Sequence, residues 1–372
     1  MKFIHISDLH LGKRLYETSL IEDQQAILLE ILKIIDDEKP EGVLIAGDIY
    51  DKSMPSAEAV SLFDSFLVGL AKRHLQVFII SGNHDSAERI AFGSKIMDAA
   101  GIHLSPVYNG KIEPTTLKDA DGEVNVYMLP FIKPSHVRRF YDTEEINSYT
   151  DAVKVAVDNM NIDTNKRNVL VAHQFVTGAT RSESEESVGG LDNVDTSVFE
   201  KFDYIALGHL HGAQNCSSEK IRYSGTPLKY SFAEADDEKS VTVVTLNKKG
   251  DVEVKTRELQ PLRNMKRLRG TFEELIGSTK REEDYVQITL TDEDDIPNAM
   301  SRLQAVFKNA LELRYDNART RENAEIFGVG DVEKKTPYEL FFEFYKERNN
   351  AEMSDIQKEY IKNLIEKIEE EE

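Results

Sequence analysis

One cysteine among 372 residues leaves no intrachain disulfide and no thiolate zinc cluster, an absence that fits a reducing compartment, the cytoplasm. Positive charge is scarce as well. Lys and Arg number 46 against 67 Asp and Glu, for a formal net charge of −21 and a pI near 5.0, which excludes a uniformly basic, histone-like nucleic-acid binder. Long apolar runs are missing: nothing approaches the ~18 residues of a membrane span, and charge follows Met1 before a leader-like stretch can form. Neither signal peptide nor membrane anchor is expected. No Gly-x-x-x-x-Gly-Lys-Ser/Thr stretch occurs, so ATP hydrolysis by this chain is not expected.

What is present is a globular balance, 40% hydrophobic and 30% charged, with length for two or three modules of roughly 150 residues each. Short apolar runs of strand type alternate with helical or loop stretches: Phe3–Ser7, Val43–Ala46, Val77–Ser81, Val126–Leu129, Val169–Ala172 and Tyr204–Leu207. Between the first two, Ile27, Leu28, Ile31, Leu32 and Ile35 recur at helical spacing. This rhythm predicts a layered α/β domain over residues 1–260 with largely buried strands. Val241–Leu246 and Val252–Thr256, joined by Lys248-Lys249-Gly250-Asp251, are expected to complete its second sheet. A small α/β module is expected over 261–330, with strands near Met265–Thr271, Tyr285–Leu290 and Leu311–Tyr315. Capping-box signals at Thr336-Pro337-Tyr338-Glu339 and Ser354-Asp355-Ile356-Gln357 predict two helices, near 337–348 and 355–370, in the segment 331–372.

The chemistry lies at the strand ends. Five runs finish in Asp8-x-His10, Gly47-Asp48, Gly82-Asn83-His84-Asp85, Ala172-His173 and Gly208-His209-x-His211. Loops beyond the C-termini of parallel strands converge on one crevice, so these side chains are expected to meet. Imidazole nitrogens, carboxylate oxygens and an amide oxygen suit manganese, iron or zinc, and seven candidate ligands are too many for one ion. Two ions sharing a bridging carboxylate, about 3.5–4 Å apart, use them all and leave positions for water and phosphate. Gly47, Gly82 and Gly208 fit turns so close to the ions that a Cβ would crowd them. Singly, each ending also reads as a turn, an N-cap or a packed histidine; all five together do not. His5 reads as a packed strand residue, whereas His74, His103 and His136 lie in stretches offering no partner. Tyr50, Tyr223 and Tyr230 read as packing near the site and Cys216 as inert.

These five endings resemble the motifs of the calcineurin-like metallophosphoesterases. SGNHDSAER at 81–89, YSGTPLKYSF at 223–232 and the ending Pro337-Tyr338-Glu339-Leu340-Phe341 are similar to the bacterial nuclease branch of that family, kin to the archaeal and eukaryotic double-strand-break repair nuclease. The resemblance implies two packed mixed β-sheets flanked by helices, a small α/β capping domain that contacts DNA, and a C-terminal helical hairpin. It implies that Asp8, His10, Asp48 and His211 hold one Mn²⁺ and Asp48, Asn83, His173 and His209 the other, with Mg²⁺, Fe²⁺ or Zn²⁺ as substitutes. His84 matches the family's catalytic histidine, which steadies the phosphate and protonates the departing 3′ oxygen, and Asp85 is expected to orient its ring. Asp51 stands where archaeal and eukaryotic relatives have histidine, so their details do not transfer to it.

The implied activities are 3′-to-5′ exonuclease action on double strands and endonucleolytic opening of DNA hairpins and single strands, in recombination, replication and repair. Arg263, Lys266, Arg267 and Arg269 are placed to grip a DNA backbone, or else form a solvated face. Leu340, Phe341, Phe344, Tyr345, Ile356, Tyr360, Leu364 and Ile368 exceed what an exposed hairpin needs and suit helix-in-groove docking, or else fold back on the chain's own core. The resemblance names the partner as a coiled-coil ATPase, two copies of each subunit, with a homodimer through the nuclease domain. Leu62, Phe63, Phe66, Leu67 and Leu70 are candidates for that dimer, though ordinary core in a monomer. A small-molecule or cyclic-nucleotide phosphoesterase is the alternative on the same ligands; the second module and the docking helices speak against it.

Overall fold

Strands covered on both faces need apolar side chains on both, and two sheets of the computed structural model follow that rule. The structure describes residues 1–372 apart from 142–144, 181–192, 278–282, 319, 322–336, 350–351, 355–356, 359, 362–363 and 366–372. The first sheet runs Val252–Glu258, Ser240–Leu246, Lys2–Ile6, Gly42–Ala46, Gln76–Ile80, Ile102–Leu104. Its last four strands are parallel, and the two others form an antiparallel hairpin on the Lys2–Ile6 edge. The second runs Gln214–Cys216, Ser218–Tyr223, Tyr204–Gly208, Arg167–His173, Gly122–Leu129, Thr115–Asp119, parallel through its four central strands.

Period-two alternation then decides which core each side chain joins. Phe3, Leu44, Ala46, Phe78 and Ile80 point inward and meet Val124, Val126, Val169, Val171, Tyr204 and Ala206 between the sheets. Ile4, Ile6, Val43, Ile45, Val77 and Ile79 point the other way, beneath α1 (Ile21–Glu38) and α2 (Ala57–Ala71). The outer face of the second sheet is covered by the helix Tyr149–Asp158 through Ala152, Val153, Ala156 and Val157. Parallel strands with helical crossovers leave their C-terminal ends on one edge of each sheet, and the candidate ligands sit there.

Three expectations are corrected. The hairpin of Ser240–Leu246 and Val252–Glu258 extends the first sheet, with His5 opposite Thr242, rather than completing the second. The second sheet instead draws on Thr115–Asp119 and Ser218–Tyr223, whose polar, half-exposed residues give no apolar run to read. Phe63, Phe66, Leu67 and Leu70 are buried in the core under α2, so they are not a free dimer face; Leu62 is partly buried against the same core. His103 has partners after all, with Nδ1 2.5 Å from Asp98 and Nε2 3.0 Å from Gln76.

The strands Met265–Gly270, Tyr285–Leu290 and Ala310–Tyr315 form a separate parallel sheet, packed through Val286 and Ile288 on Phe272, Leu303 and Phe307. It is tied to α1: Tyr285 donates its hydroxyl to Asp23 at 2.7 Å, and Arg263 pairs with Asp23 at 2.7 Å and with Glu22. Beyond it the helix Pro337–Asn349 exposes Phe341 and Phe344 and half-buries Tyr345. Tyr360 and Leu364 are exposed, the side chain of Leu340 is not described, and Ile356 and Ile368 lie outside the described residues. Among the described residues, no helix is long and apolar enough to cross a membrane.

Candidate metal centre

The backbone leaving each strand is shaped to turn its ligand inward. Asp8, His10 and Asp48 sit at φ 53°, 42° and 49° and His209 at 103°, left-handed values that cost non-glycine residues on the order of 1–3 kcal/mol each. The two loops hold each other there: Asp8 N–H donates to the Gly47 carbonyl at 3.0 Å and His10 N–H to that of Asp48 at 3.0 Å. The glycines permit the approach. A Cβ on Gly82 would collide with the Asp48 backbone and carboxylate, and one on Gly208 with the Ala46 carbonyl and the His173 ring.

All seven candidate ligands arrive in one place. His173 Nε2 lies 3.4 Å from Asp48 Oδ2 and 2.9 Å from Asn83 Oδ1, which is also 3.0 Å from His209 Nδ1. On the other side of Asp48, His10 Nε2 is 3.8 Å from Oδ2, and the His211 ring centroid lies 5.2 Å from that of His10. Asp8, Asp48 and His173 each offer an atom within 4.8 Å of the others, and so do His10, Asp48 and His84. Asp48 thus belongs to two convergent groups at once. Asp8 lies on the His173 side, whereas the resemblance groups it with His10 and His211; its Oδ1 also accepts His209 N–H at 3.0 Å. The floor (Asp8, His10, Asp48, His173) is buried, while Asn83 and His84 stand exposed at the rim.

The donor set fits divalent ions. Both ring nitrogens of His10 are buried without a hydrogen-bond partner among the described residues, an arrangement that is costly for an imidazole unless something else engages it. Two buried carboxylates face four imidazoles with no thiolate among them, which suits hard-to-borderline cations. The charges agree. Burial raises Asp8 to about 6, with the Asp48 charge adding to the effect. Burial opposes ionisation of Asp48 too, yet His173, His10 and His84 hold it well below the usual carboxylate range. Burial also works against the charged form of His173, but Asp48 raises it to about 9, so an imidazolium there answers negative charge that a divalent ion can answer instead. Burial, helped by the nearby His211, His84 and Lys13 and opposed by Asp48, drives His10 well below its ordinary value.

His84 places Nδ1 3.1 Å from the Asp51 carbonyl and Nε2 4.0 Å from Asp48 Oδ2, so a proton on Nδ1 turns Nε2 toward the centre. Asp85 does not orient that ring, contrary to expectation. Its carboxylate accepts the backbone N–H groups of Ile49 at 3.0 Å, Tyr50 at 3.0 Å and Gly82 at 2.9 Å, binding the Asp48 and Asn83 loops together. Burial raises Asp85 to about 6, with Asp48 adding to the effect and those three amides opposing it.

Sequence reasoning missed Glu234. Its buried carboxylate takes His211 Nδ1 at 3.0 Å and Lys239 Nζ at 2.7 Å, so it fixes the His211 ring from behind. Burial opposes its charge, but His211 and Lys239 together hold it at about 2. Glu234 lies two residues beyond the stretch YSGTPLKYSF, which carries no signal of a ligand's partner; only the fold brings it under His211. Tyr230 packs edge-on to His10 and donates its hydroxyl to the Leu9 carbonyl at 2.5 Å, in keeping with a packing role. The basic cluster lies elsewhere, each member beside an acid: Lys266 with Asp284, Arg267 with Asp236 and Arg269 with Asp316. Arg263 departs from the expected DNA grip, because Glu22, Asp23 and Tyr285 engage its guanidinium in tying the small sheet to α1.

Packed sheets that deliver such a ligand set from five strand ends are those of a calcineurin-like phosphoesterase, and the chain belongs to that family, which residues 1–213 match. It is a metal-dependent phosphodiester hydrolase. The chain falls within the SbcD branch, being 31% identical over 373 residues, 98% of each chain, to the SbcD component of the nuclease SbcCD from Staphylococcus epidermidis (strain ATCC 12228 / FDA PCI 1200). Residues 261–349 match the family SbcD_C, described as Type 5 capsule protein repressor C-terminal domain. Among solved structures, a dimetal phosphatase from Danio rerio is 11% identical, covering 69% of this chain and 96% of its own at a TM-score of 0.39, a likeness too loose to add to the assignment.

Proposed function

We propose that this chain is the nuclease subunit of an SbcCD-like complex. It cuts DNA with two Mn²⁺, as a 3′-to-5′ exonuclease on double strands and as an endonuclease on hairpins and single strands, in recombination, replication and repair. The observation that carries this reading is Asp48, shared by two convergent ligand groups beneath an open rim. Divalent ions held there would supply Lewis-acid polarisation of a phosphate and activation of water near neutral pH. Asp8, His10, Asp48, Asn83, His173, His209 and His211 hold them. His84, its Nδ1 engaged by the Asp51 carbonyl, presents Nε2 to the phosphate and in the imidazolium form gives its proton to the departing 3′ oxygen.

We divide the chain into a nuclease domain (1–260), a capping domain (261–330) and a docking segment (331–372). Lys266, Arg267 and Arg269 contact the DNA backbone; phosphates compete there with Asp284, Asp236 and Asp316, so binding is salt-sensitive. Phe341 and Phe344, exposed on the helix Pro337–Asn349, support docking onto an SbcC-like ATPase, two of each subunit in the cytoplasmic complex. Self-association draws on Val60 and Val68, the exposed apolar residues of α2, in place of the buried set.

With Mn²⁺, the wild-type chain and its ATPase partner open a DNA hairpin, and His84→Ala abolishes cleavage while retaining bound metal. Hairpin DNA left intact while cyclic nucleotides are hydrolysed would favour the small-molecule phosphoesterase. Normal cleavage by His84→Ala would remove His84 from the mechanism.

A further inference from the structure

His84 stands at the rim with its side chain 43% exposed, so packing alone does not fix its ring. Two contacts orient it. Its Nδ1 meets the Asp51 carbonyl at 3.1 Å, and the His10 ring crosses it at 90° with centroids 4.9 Å apart. The Asp51 carbonyl is set in turn by the stretch that carries His10. Asp51 donates its backbone N–H to the Leu11 carbonyl at 3.2 Å, and its Oδ1 takes Lys13 Nζ at 2.7 Å. Lys13 closes a turn on the same stretch, its backbone N–H donating to the His10 carbonyl at 3.0 Å. Four residues therefore carry both a candidate metal ligand and the cation that anchors the residue holding the rim histidine.

The Asp51 carboxylate lies between two claimants. His10 Nδ1, buried without a hydrogen-bond partner among the described residues, is 4.0 Å from the same Oδ1 that Lys13 holds at 2.7 Å. The ion pair is sheltered, the Lys13 side chain being 24% exposed and that of Asp51 16%, so solvent and salt screen it less than a surface pair. Without the ammonium, an unpaired carboxylate in that shelter closes on the imidazole and draws its own backbone carbonyl away from His84. We propose that Lys13 and Asp51 are positioning residues for His84: their ion pair keeps the Asp51 carbonyl on Nδ1, so that Nε2 faces the departing oxygen. Neither side chain touches the phosphate. This rests on the acid role of His84 proposed above and adds what holds the ring in line. A misplacement of about 1 Å at such a group costs on the order of 100-fold in rate.

The test follows two thymidine 5′-phosphodiesters on the full chain loaded with Mn²⁺. In the dinucleotide thymidylyl-3′,5′-thymidine the departing 3′ oxygen needs a proton; in the p-nitrophenyl ester of thymidine 5′-monophosphate the departing nitrophenolate does not. General-acid catalysis is worth about 10²–10⁴-fold, so His84→Ala loses that much on the dinucleotide and far less on the aryl ester. Lys13→Met lowers kcat on the dinucleotide about 10- to 100-fold with KM unchanged and spares the aryl ester. Lys13→Arg, which keeps the charge, restores the rate, and equilibrium dialysis finds the wild-type complement of Mn²⁺ in both variants. A Lys13→Met chain as fast as wild type on the dinucleotide, or slowed alike on both esters while His84→Ala is selective, overturns the pair and leaves the acid role standing. A raised KM on both esters with kcat kept assigns Lys13 to phosphate binding, and lost Mn²⁺ assigns it to His10; either result overturns the positioning role. Even losses on both esters in His84→Ala overturn the acid role, and the pair's role with it.

Discussion

Glu234→Gln separates holding a ligand in place from holding the fold together. The wild-type carboxylate is buried between His211 Nδ1 at 3.0 Å and Lys239 Nζ at 2.7 Å. An amide of the same shape has no charge and directs an N–H₂ group at one of two donors. Breaking a buried pair costs about 3–5 kcal/mol. Lys239 keeps the His211 carbonyl at 3.0 Å and Asp237 at 3.2 Å, so the lower end, about 3 kcal/mol, is expected from urea unfolding of the metal-free chain. Loss of the partner behind a ligating imidazole costs about 10- to 100-fold in metal affinity or activity. Diester hydrolysis followed against Mn²⁺ concentration should therefore need about 10- to 100-fold more metal for half-maximal rate, with the maximum largely recovered. Lys239→Met is the control: it destabilises the fold but leaves Glu234 on His211, so its metal curve should stay within about threefold of wild type. A Glu234→Gln enzyme with the wild-type metal curve would refute the positioning role, whatever its stability.

Other perturbations reach separate parts of the account. Gly208→Ala forces a Cβ into the Ala46 carbonyl and the His173 ring, so diester hydrolysis should fall roughly 100-fold or more with a near-native circular dichroism spectrum; an active variant would contradict the close packing of the loops. Asp119, held below the ordinary carboxylate range chiefly by Arg167, contributes stability that is full above its usual value of 3.8 and lost as pH falls below it. Asp119→Asn should accordingly cost about 1–3 kcal/mol at pH 7, and the gap from wild type should close on acidification below 3.8; a gap independent of pH would argue against the pairing. Deleting residues 336–372 should abolish co-purification with the ATPase while diester hydrolysis persists, and retained co-purification would rule out docking through that segment.

Much of the centre was legible because its ligands occupy strand ends, where sequence and topology coincide. Asp8, Asp48, Asn83, His173 and His209 could be gathered from five apolar runs alone. Glu234, which lies in the short turn Phe232–Glu234, could not, since its partnership with His211 is a product of folding alone. Strands lined with apolar residues on both faces declared themselves, whereas Thr115–Asp119 and Ser218–Tyr223 expose polar side chains and did not. The apolar stripe of α2 was readable but its partner was not: Phe66 and Leu70 look alike whether they meet α1 or a second copy, and they meet the chain's own core. Arg263 likewise looked like one cation in a cluster until Glu22 and Asp23, some 240 residues earlier in the chain, proved to hold it.

The most direct test of the central claim counts ions. Equilibrium dialysis against Mn²⁺, followed by elemental analysis, should find two ions per wild-type chain, and Asp48→Asn should lose both together because its carboxylate serves both ligand groups. Two ions retained by Asp48→Asn, or full hydrolysis by a wild-type chain carrying one, would contradict a shared two-ion centre.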